Sequence, residues 1–579
     1  MKESSRMKPP LAAALACLLV LGAYAACAHL GTAVFGNDDP NEAVYNRLID
    51  GFAQGHLYLR RDVPAAFAAL ADPYDPAQNA PYRVPPYYLY DLSYYHGRLY
   101  AYFGPLPALL VFWPYHLVTG DYLSYKAAAA ACSCLGFLAV AWLFLDAQRR
   151  YAPAMPAWLL AALLLAIGLT TALPLLLVRV DVWEIPIAAS SALTLAFLAA
   201  LWQAWHHPAQ QRRWLAAASV ALGFAVASRP TTLLLAPLLA WPWLRQRAGS
   251  RPPLRPGLLA AAALPLGGCL AALLLYNYAR FGQPLEFGQR YQLPFGEYEG
   301  HIRHFSPAYL WDNLRVYFLH PAPWTAAYPF VGEPSQLAFR SGHSGTEFNF
   351  GVLANVPLVW FALLALPAVR RPDGIGFLAG ALVAVGGAQI GLLLLFFGTV
   401  SRYEVEILVP LILLAAAALL AGEAGRSQLL PRRILWLALA ACSIAFNLAY
   451  AADHAIKTRI GGLSYAVSHG QLPAALDHAD ALVLLQPGSA GFHNERGIVL
   501  GLTGRLAESV TEFRTAIRLD PHALYARHNL GRALLQTGDR AGAIGEMEAD
   551  LRLAPGDAAA RSLLEMIRRN DPSLAPAGG

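Results

Sequence analysis

Eleven strongly apolar runs, separated by short polar stretches with clustered arginines, leave this chain few ways to fold. A run of about 20 apolar residues is the length a helix needs to cross the hydrocarbon core of a bilayer. Lipid offers no hydrogen bonds, so such a segment must satisfy its own backbone and folds as a helix. The runs cover residues 11–30, 125–145, 157–177, 182–205, 214–227, 231–244, 258–276, 352–369, 377–397, 405–420 and 434–450. Of 579 residues, 57% are hydrophobic and 14% are charged. A soluble protein carries roughly 25% charge. The reading is a polytopic, all-α membrane protein of about 11 transmembrane helices.

Charge placement sets the topology. Lys2, Arg6 and Lys8 precede the first run and put the N-terminus in the cytoplasm. That run has the look of a secretory signal ending in Ala23-Tyr24-Ala25, but so many runs follow that it reads as an uncleaved span. Residues 31–104 then form a first exterior loop, and 277–350 a second. The apolar stretch 103–118 is short and carries Pro105, Pro107 and Pro114, so it is read as a helix lying in the interface. With that segment flat, Arg149-Arg150, the stretch from His206 to Arg213, Arg245 to Arg255, Arg370-Arg371 and Arg426 to Arg433 all fall inside. The +6 net charge is therefore a topology signal, and nucleic acid is not expected as a partner. All six cysteines lie in apolar segments, with neither a disulfide framework nor zinc spacing. The expected location is a bacterial inner membrane.

From about residue 453 the composition becomes that of a soluble helical protein, expected on the exterior side. Marker residues recur every 34 positions: Gly470, Gly504 and Gly538, then Pro487, Pro521 and Pro555, then Gly497 and Gly531. Ala475 and Ala543 fall where two helices pack closely, and Phe513 at a large apolar position. This pattern resembles the tetratricopeptide repeat. Glycine permits the tight turn and proline ends the second helix. The first repeat is degenerate, with Leu463 where later repeats have glycine. Residues 558–569 read as a capping helix. The division is a membrane domain over 1–452 and a repeat domain over 453–579, the latter implying a protein or peptide partner.

Chemistry, if present, belongs to the exterior face. Asp38, Asp39 and Glu42 follow the first run directly. As a charge cluster this is a solvated loop; as a site it is a carboxylate held at the membrane boundary. Further along come Asp91, Tyr102, the turn from Arg179 to Pro186 with Glu184, then Arg229, Arg280, and Arg402-Tyr403 opening a late span. Ionisable groups at membrane depth are costly and mark function. Sugar transfer from a lipid phosphate needs a carboxylate to take the acceptor's proton and cations to hold the leaving phosphate.

The order of these parts resembles the GT-C membrane glycosyltransferases, the protein O-mannosyltransferase-like and aminoarabinose transferase-like enzymes. The matching features are the acidic loop after span 1, Tyr102-Phe-Gly-Pro-Leu-Pro107, Glu184-Ile-Pro186, and Arg402-Tyr403. The resemblance implies a polyprenyl-phosphate sugar donor, inversion at the sugar, and Asp39 or Asp38 as catalytic base. It further implies Arg402 on phosphate and Glu184 as a second acid, with Glu42, Asp91, Tyr102, Arg229 and Tyr403 as other substrate-binding positions. No cofactor is assigned; the acidic loops would tolerate a divalent cation without requiring one. The architecture is also similar to tetratricopeptide-containing O-mannosyltransferases of eukaryotes. Two other classes fit less well: a non-catalytic membrane-anchored repeat scaffold for envelope assembly, and a polysaccharide polymerase or ligase. A transporter would place charge near mid-membrane, where these runs have none.

Overall fold

The computed structural model describes residues 9–33, 39–83, 87–89, 91–240, 255–293, 303–335, 337–339, 343–425 and 429–569. The chain is all-α, with only two short two-stranded ladders among the described residues. It divides into two compact units, one built mainly from residues before Ala452 and one from Ala452 onward.

Seven described helices are long and apolar enough to cross a membrane: Pro10–Leu30, Tyr125–Tyr151, Glu184–His206, Pro256–Phe281, Gly374–Leu394, Ser401–Gly425 and Leu430–Ser468. This is an integral membrane protein. The other four apolar runs also carry helix, but shorter or broken. The run at 157–177 is two helices, Ala157–Leu169 and Leu173–Val178, parted where Ala172 turns left-handed at φ +58°. Gln211–Ser228 stops because Arg229 precedes Pro230 and is pushed to extended backbone. Pro230–Ala240 and Pro357–Ala365 take the tighter 3₁₀ form. The stretch expected to lie in the interface holds a short apolar helix, Ala108–Thr119. Twelve helical residues reach about 18 Å, well short of the ~30 Å core.

Packing explains how the helix ends come together. Glu184–His206 lies between Tyr125–Tyr151 and Gln211–Ser228, and Glu404–Gly425 lies between Gly374–Leu394 and Pro357–Ala365. Small residues allow close approach, as in membrane helix pairs: a Cβ added at Gly136 would stand 2.9 Å from Ala192 Cα. Charge separates to opposite ends. At one end the Tyr151 hydroxyl lies 2.9 Å from His206 Nε2 and accepts from the Gly374 N–H at 3.0 Å, beside the Arg371–Asp373 pair. At the other end of Glu184–His206, Glu184 faces Arg402, which opens the helix Glu404–Gly425.

The second unit is a stack of helical hairpins: Leu472–Leu485, Ala490–Leu502, Leu506–Leu519, Leu524–Gln536, Arg540–Leu553 and the terminal Ala558–Arg568. Gly470, Gly504 and Gly538 have φ of +68°, +78° and +86°, the left-handed backbone that the 34-residue glycine pattern predicts. Each periodic proline ends a helix and leaves its carbonyl unpaired along the backbone. A basic side chain six residues on meets it: His493 Nε2 lies 3.0 Å from the Pro487 oxygen, Arg527 donates to Pro521 at 3.2 Å, and Arg561 donates to Pro555. The same stations pair across helices, His493 with Glu512 and Arg527 with Glu546. In the first repeat the close contact slips by one residue, so that Gly462 faces His478 while Gly497 faces Phe513 and Gly531 faces Met547. That slip accounts for Leu463 at the glycine station.

A Cβ added at Gly531 would stand 2.7 Å from Met547 Cε. Gly531→Leu is therefore expected to destabilise the repeats by about 1–3 kcal/mol through overpacking. Thermal unfolding followed by proteolysis of the C-terminal unit measures it.

Candidate active site

The site is assembled from ends of helices and from two loops. Arg402 lies in a 3₁₀ turn, Ser401–Tyr403, that opens the helix Glu404–Gly425. Just before it, Thr399–Val400 pairs in parallel with Thr346–Glu347, with Glu347 opposite Val400. This ladder carries Glu347, from the long loop of residues 277–350, to Arg402. Glu347 accepts from Arg402 Nη1 at 3.2 Å and also pairs with Arg179. Arg402 Nη1 lies 3.8 Å from Glu184 Oε1. The other Glu184 oxygen accepts from the Asp181 N–H at 2.8 Å and closes the turn ahead of its own helix. Arg229, set free of its helix by Pro230, lies 3.2 Å from Glu406 and 4.6 Å from the Tyr403 ring centre. Arg402 lies 5.6 Å from the same ring and 5.2 Å from Trp183. Three guanidiniums thus share one cluster with three glutamates. Arg179 is buried, and its Nε and Nη1 donate to no described group.

The first loop closes one side. Ser93–Tyr95 and Arg98–Tyr100 form a hairpin. Its outgoing strand leads to Ala101, whose carbonyl accepts from buried Arg280 at 2.7 Å. Tyr102 follows, half-buried and within the fields of Asp91 and Arg402. Gly104 packs on the end of Gln211–Ser228; a Cβ there would stand 1.9 Å from the Ala227 oxygen and 2.9 Å from that of Ser228. Asp91 accepts from Trp183 Nε1 at 2.8 Å and from Gln292 Nε2 at 2.7 Å. Asp91, Tyr102, Trp183, Gln292, Glu347, Arg402 and Tyr403 are all half-buried, so the cluster is partly open to solvent.

Asp39 and Glu42 stand in a different setting. Asp39 is exposed and its Oδ1 accepts from the backbone and side chain of Asn41 at 2.9 and 2.8 Å. Glu42 pairs with Arg47 at 2.6 Å and Arg61 at 3.6 Å. Among the described residues, the side-chain partners of both acids lie in the first loop, away from the Arg402 cluster. Asp38 lies outside the described residues. Sequence reasoning passed over Glu347, Gln292 and Glu406. Only Glu406, a charge inside an apolar run, carried a signal that could have found it. Among the described residues, no three His, Cys, Asp or Glu side chains are grouped so as to hold a metal ion.

Burial raises the Glu347 carboxyl, but the Arg179 and Arg402 guanidiniums more than offset this and hold it below the ordinary range. A carboxylate lowered in the folded state stabilises above its unfolded value and loses that contribution as pH falls through its folded value. The 343–350 segment is therefore expected to loosen below roughly pH 4.3, the ordinary glutamate value. Hydrogen exchange across that segment checks it, and Glu347→Gln should remove the acid step.

Residues 502–567 match the tetratricopeptide repeat family. No curated protein matches the sequence. Among solved structures, the tetratricopeptide domain of Arabidopsis OM64 is similar at 15% identity, covering 20% of this chain and 95% of its own, with a TM-score of 0.19. ArnT from Cupriavidus metallidurans, solved bound to undecaprenyl phosphate, is similar at 14% identity, covering 97% of this chain and 78% of its own, with a TM-score of 0.39.

Proposed function

We propose that this protein is a membrane glycosyltransferase that moves a sugar from a polyprenyl-phosphate donor to an acceptor outside the cytoplasm, with inversion. The observation that carries the reading is the convergence of Arg179, Arg229 and Arg402 with half-buried Asp91 and Tyr102 at the ends of separate apolar helices. A lipid-linked donor brings its phosphate to that depth, and guanidiniums suit a leaving phosphate. In the reaction the acceptor hydroxyl attacks the anomeric carbon as the bond to the phosphate oxygen breaks. An aspartate of the first exterior loop takes the proton; the resemblance puts that role on Asp39 or Asp38.

On this reading the membrane is a bacterial inner membrane, with the N-terminus cytoplasmic and the repeats outside. The repeats recruit a protein or peptide, either the acceptor or an assembly partner. The test is transfer of label from polyprenyl-phosphate sugars by membranes containing the full chain.

One observation favours a second reading. Among the described residues, the side chains of Asp39 and Glu42 bond to groups of the first loop, as in a wet surface loop. A scaffold that presents the repeats would leave them so, and its function would survive neutralisation of every acid named above.

A further inference from the structure

Resting on the transferase reading, we infer that Asp91 is the carboxylate that takes the proton from the acceptor hydroxyl. Four observations carry this. Asp91 has φ +51°, a region non-glycine residues seldom occupy and one that collects at functional sites. Its carboxylate is aimed by groups from two other segments, Trp183 Nε1 on Oδ2 and Gln292 Nε2 on Oδ1. Its backbone is pinned by the Asp91 N–H to the Leu293 oxygen at 3.2 Å and the Leu293 N–H to the Leu92 oxygen at 2.8 Å. Arg402 lies over the face of the indole whose N–H holds Asp91, so one tryptophan spaces the carboxylate from the cation. Displacement with inversion requires that separation, because base and leaving group stand on opposite sides of the anomeric carbon.

Burial also raises the Asp91 carboxyl, against the hydrogen bonds from Gln292 and Trp183 and the charge of Arg402. A more basic carboxylate is the better proton acceptor near neutral pH. Asp39 is exposed, and among the described residues its side chain bonds to Asn41 of its own turn. In the step, the acceptor O–H bond breaks and its proton passes to Asp91. The acceptor oxygen bonds to the anomeric carbon. The bond from that carbon to the phosphate oxygen breaks, and its electron pair leaves on the lipid phosphate, facing Arg402.

The experiment measures transfer from a labelled polyprenyl-phosphate sugar by the full chain in membranes, as a function of pH. Asp91→Asn is expected to lower kcat by at least about 10²-fold, to leave the donor KM within about twofold, and to abolish the acid limb of the pH profile. Asp91→Glu should restore part of the rate. Gln292→Leu keeps the carboxylate but removes a hydrogen bond that favours its charged form, so the acid limb should move to higher pH. Asp39→Asn should keep that limb at whatever rate it retains. If Asp39→Asn removes the limb while Asp91→Asn and Gln292→Leu keep it in place, the inference is overturned and the transferase reading stands. If the wild type transfers no sugar from any such donor, the transferase reading itself has failed.

Discussion

Alanine at position 402 is expected to lower sugar transfer by about 10²–10³-fold and to reduce the folded amount of protein. Both effects follow from one geometry. Arg402 Nη1 stands between Glu347 at 3.2 Å and Glu184 at 3.8 Å, and the Glu184 side chain is only 1% exposed. Removing the cation leaves the buried Glu184 carboxylate without its guanidinium, while Glu347 keeps Arg179. Breaking a buried pair in that way costs about 3–5 kcal/mol. The catalytic loss is separate, since the phosphate loses its guanidinium. Arg402→Lys keeps the charge but not the planar fork, and an intermediate rate is expected. Pairing Arg402→Ala with Glu184→Gln separates the two effects, since the Glu347–Arg179 pair stays intact: the double variant should regain folded protein and not activity. Detergent-solubilised yield and label transfer, measured on the same membranes, give both readings.

Alanine at Gly104 is expected to be nearly as damaging, although it adds one carbon and removes no functional group. The added Cβ would meet a backbone carbonyl at 1.9 Å, so the obstacle is main chain and cannot swing away as a side-chain tip would. Either the Tyr102–Gly104 segment or the Ser228-Arg229 corner must move. Each carries a site residue, Tyr102 on one side and Arg229 on the other. A displacement near 1 Å in a positioned site can cost roughly 10²-fold in rate. The expected result for Gly104→Ala is that loss, in a protein that still inserts and still carries folded repeats. Gly97→Ala is the comparison. Gly97 turns the nearby hairpin at φ +74° with nothing within 4 Å of an added Cβ, so strain without collision should leave a much milder effect.

The parts that could be read from sequence share a cause. Apolar runs, the prolines within 103–118 and the 34-residue repeat all report local rules, and the helices follow them. Arg229 is placed by the proline after it, and Arg402 and Glu184 by the starts of apolar runs. Glu347 was not legible because its position depends on a parallel ladder joining residues some fifty positions apart. Gln292 reaches Asp91 for the same kind of reason, through loop pairing rather than periodicity. The acidic stretch at 38–42 drew attention by charge density, and density says nothing of direction. What Asp39 and Glu42 face is decided by Asn41, Arg47 and Arg61, which are their neighbours in the first loop.

The most direct measurement gives labelled polyprenyl-phosphate sugars to membranes holding the wild-type chain or Arg402→Ala with Glu184→Gln. The account predicts that label moves from the lipid to an acceptor with wild type and stays on the lipid with the folded double variant. Equal transfer by both, or none by either with every donor, would contradict it, and the repeats would then be the part of the molecule that holds its function.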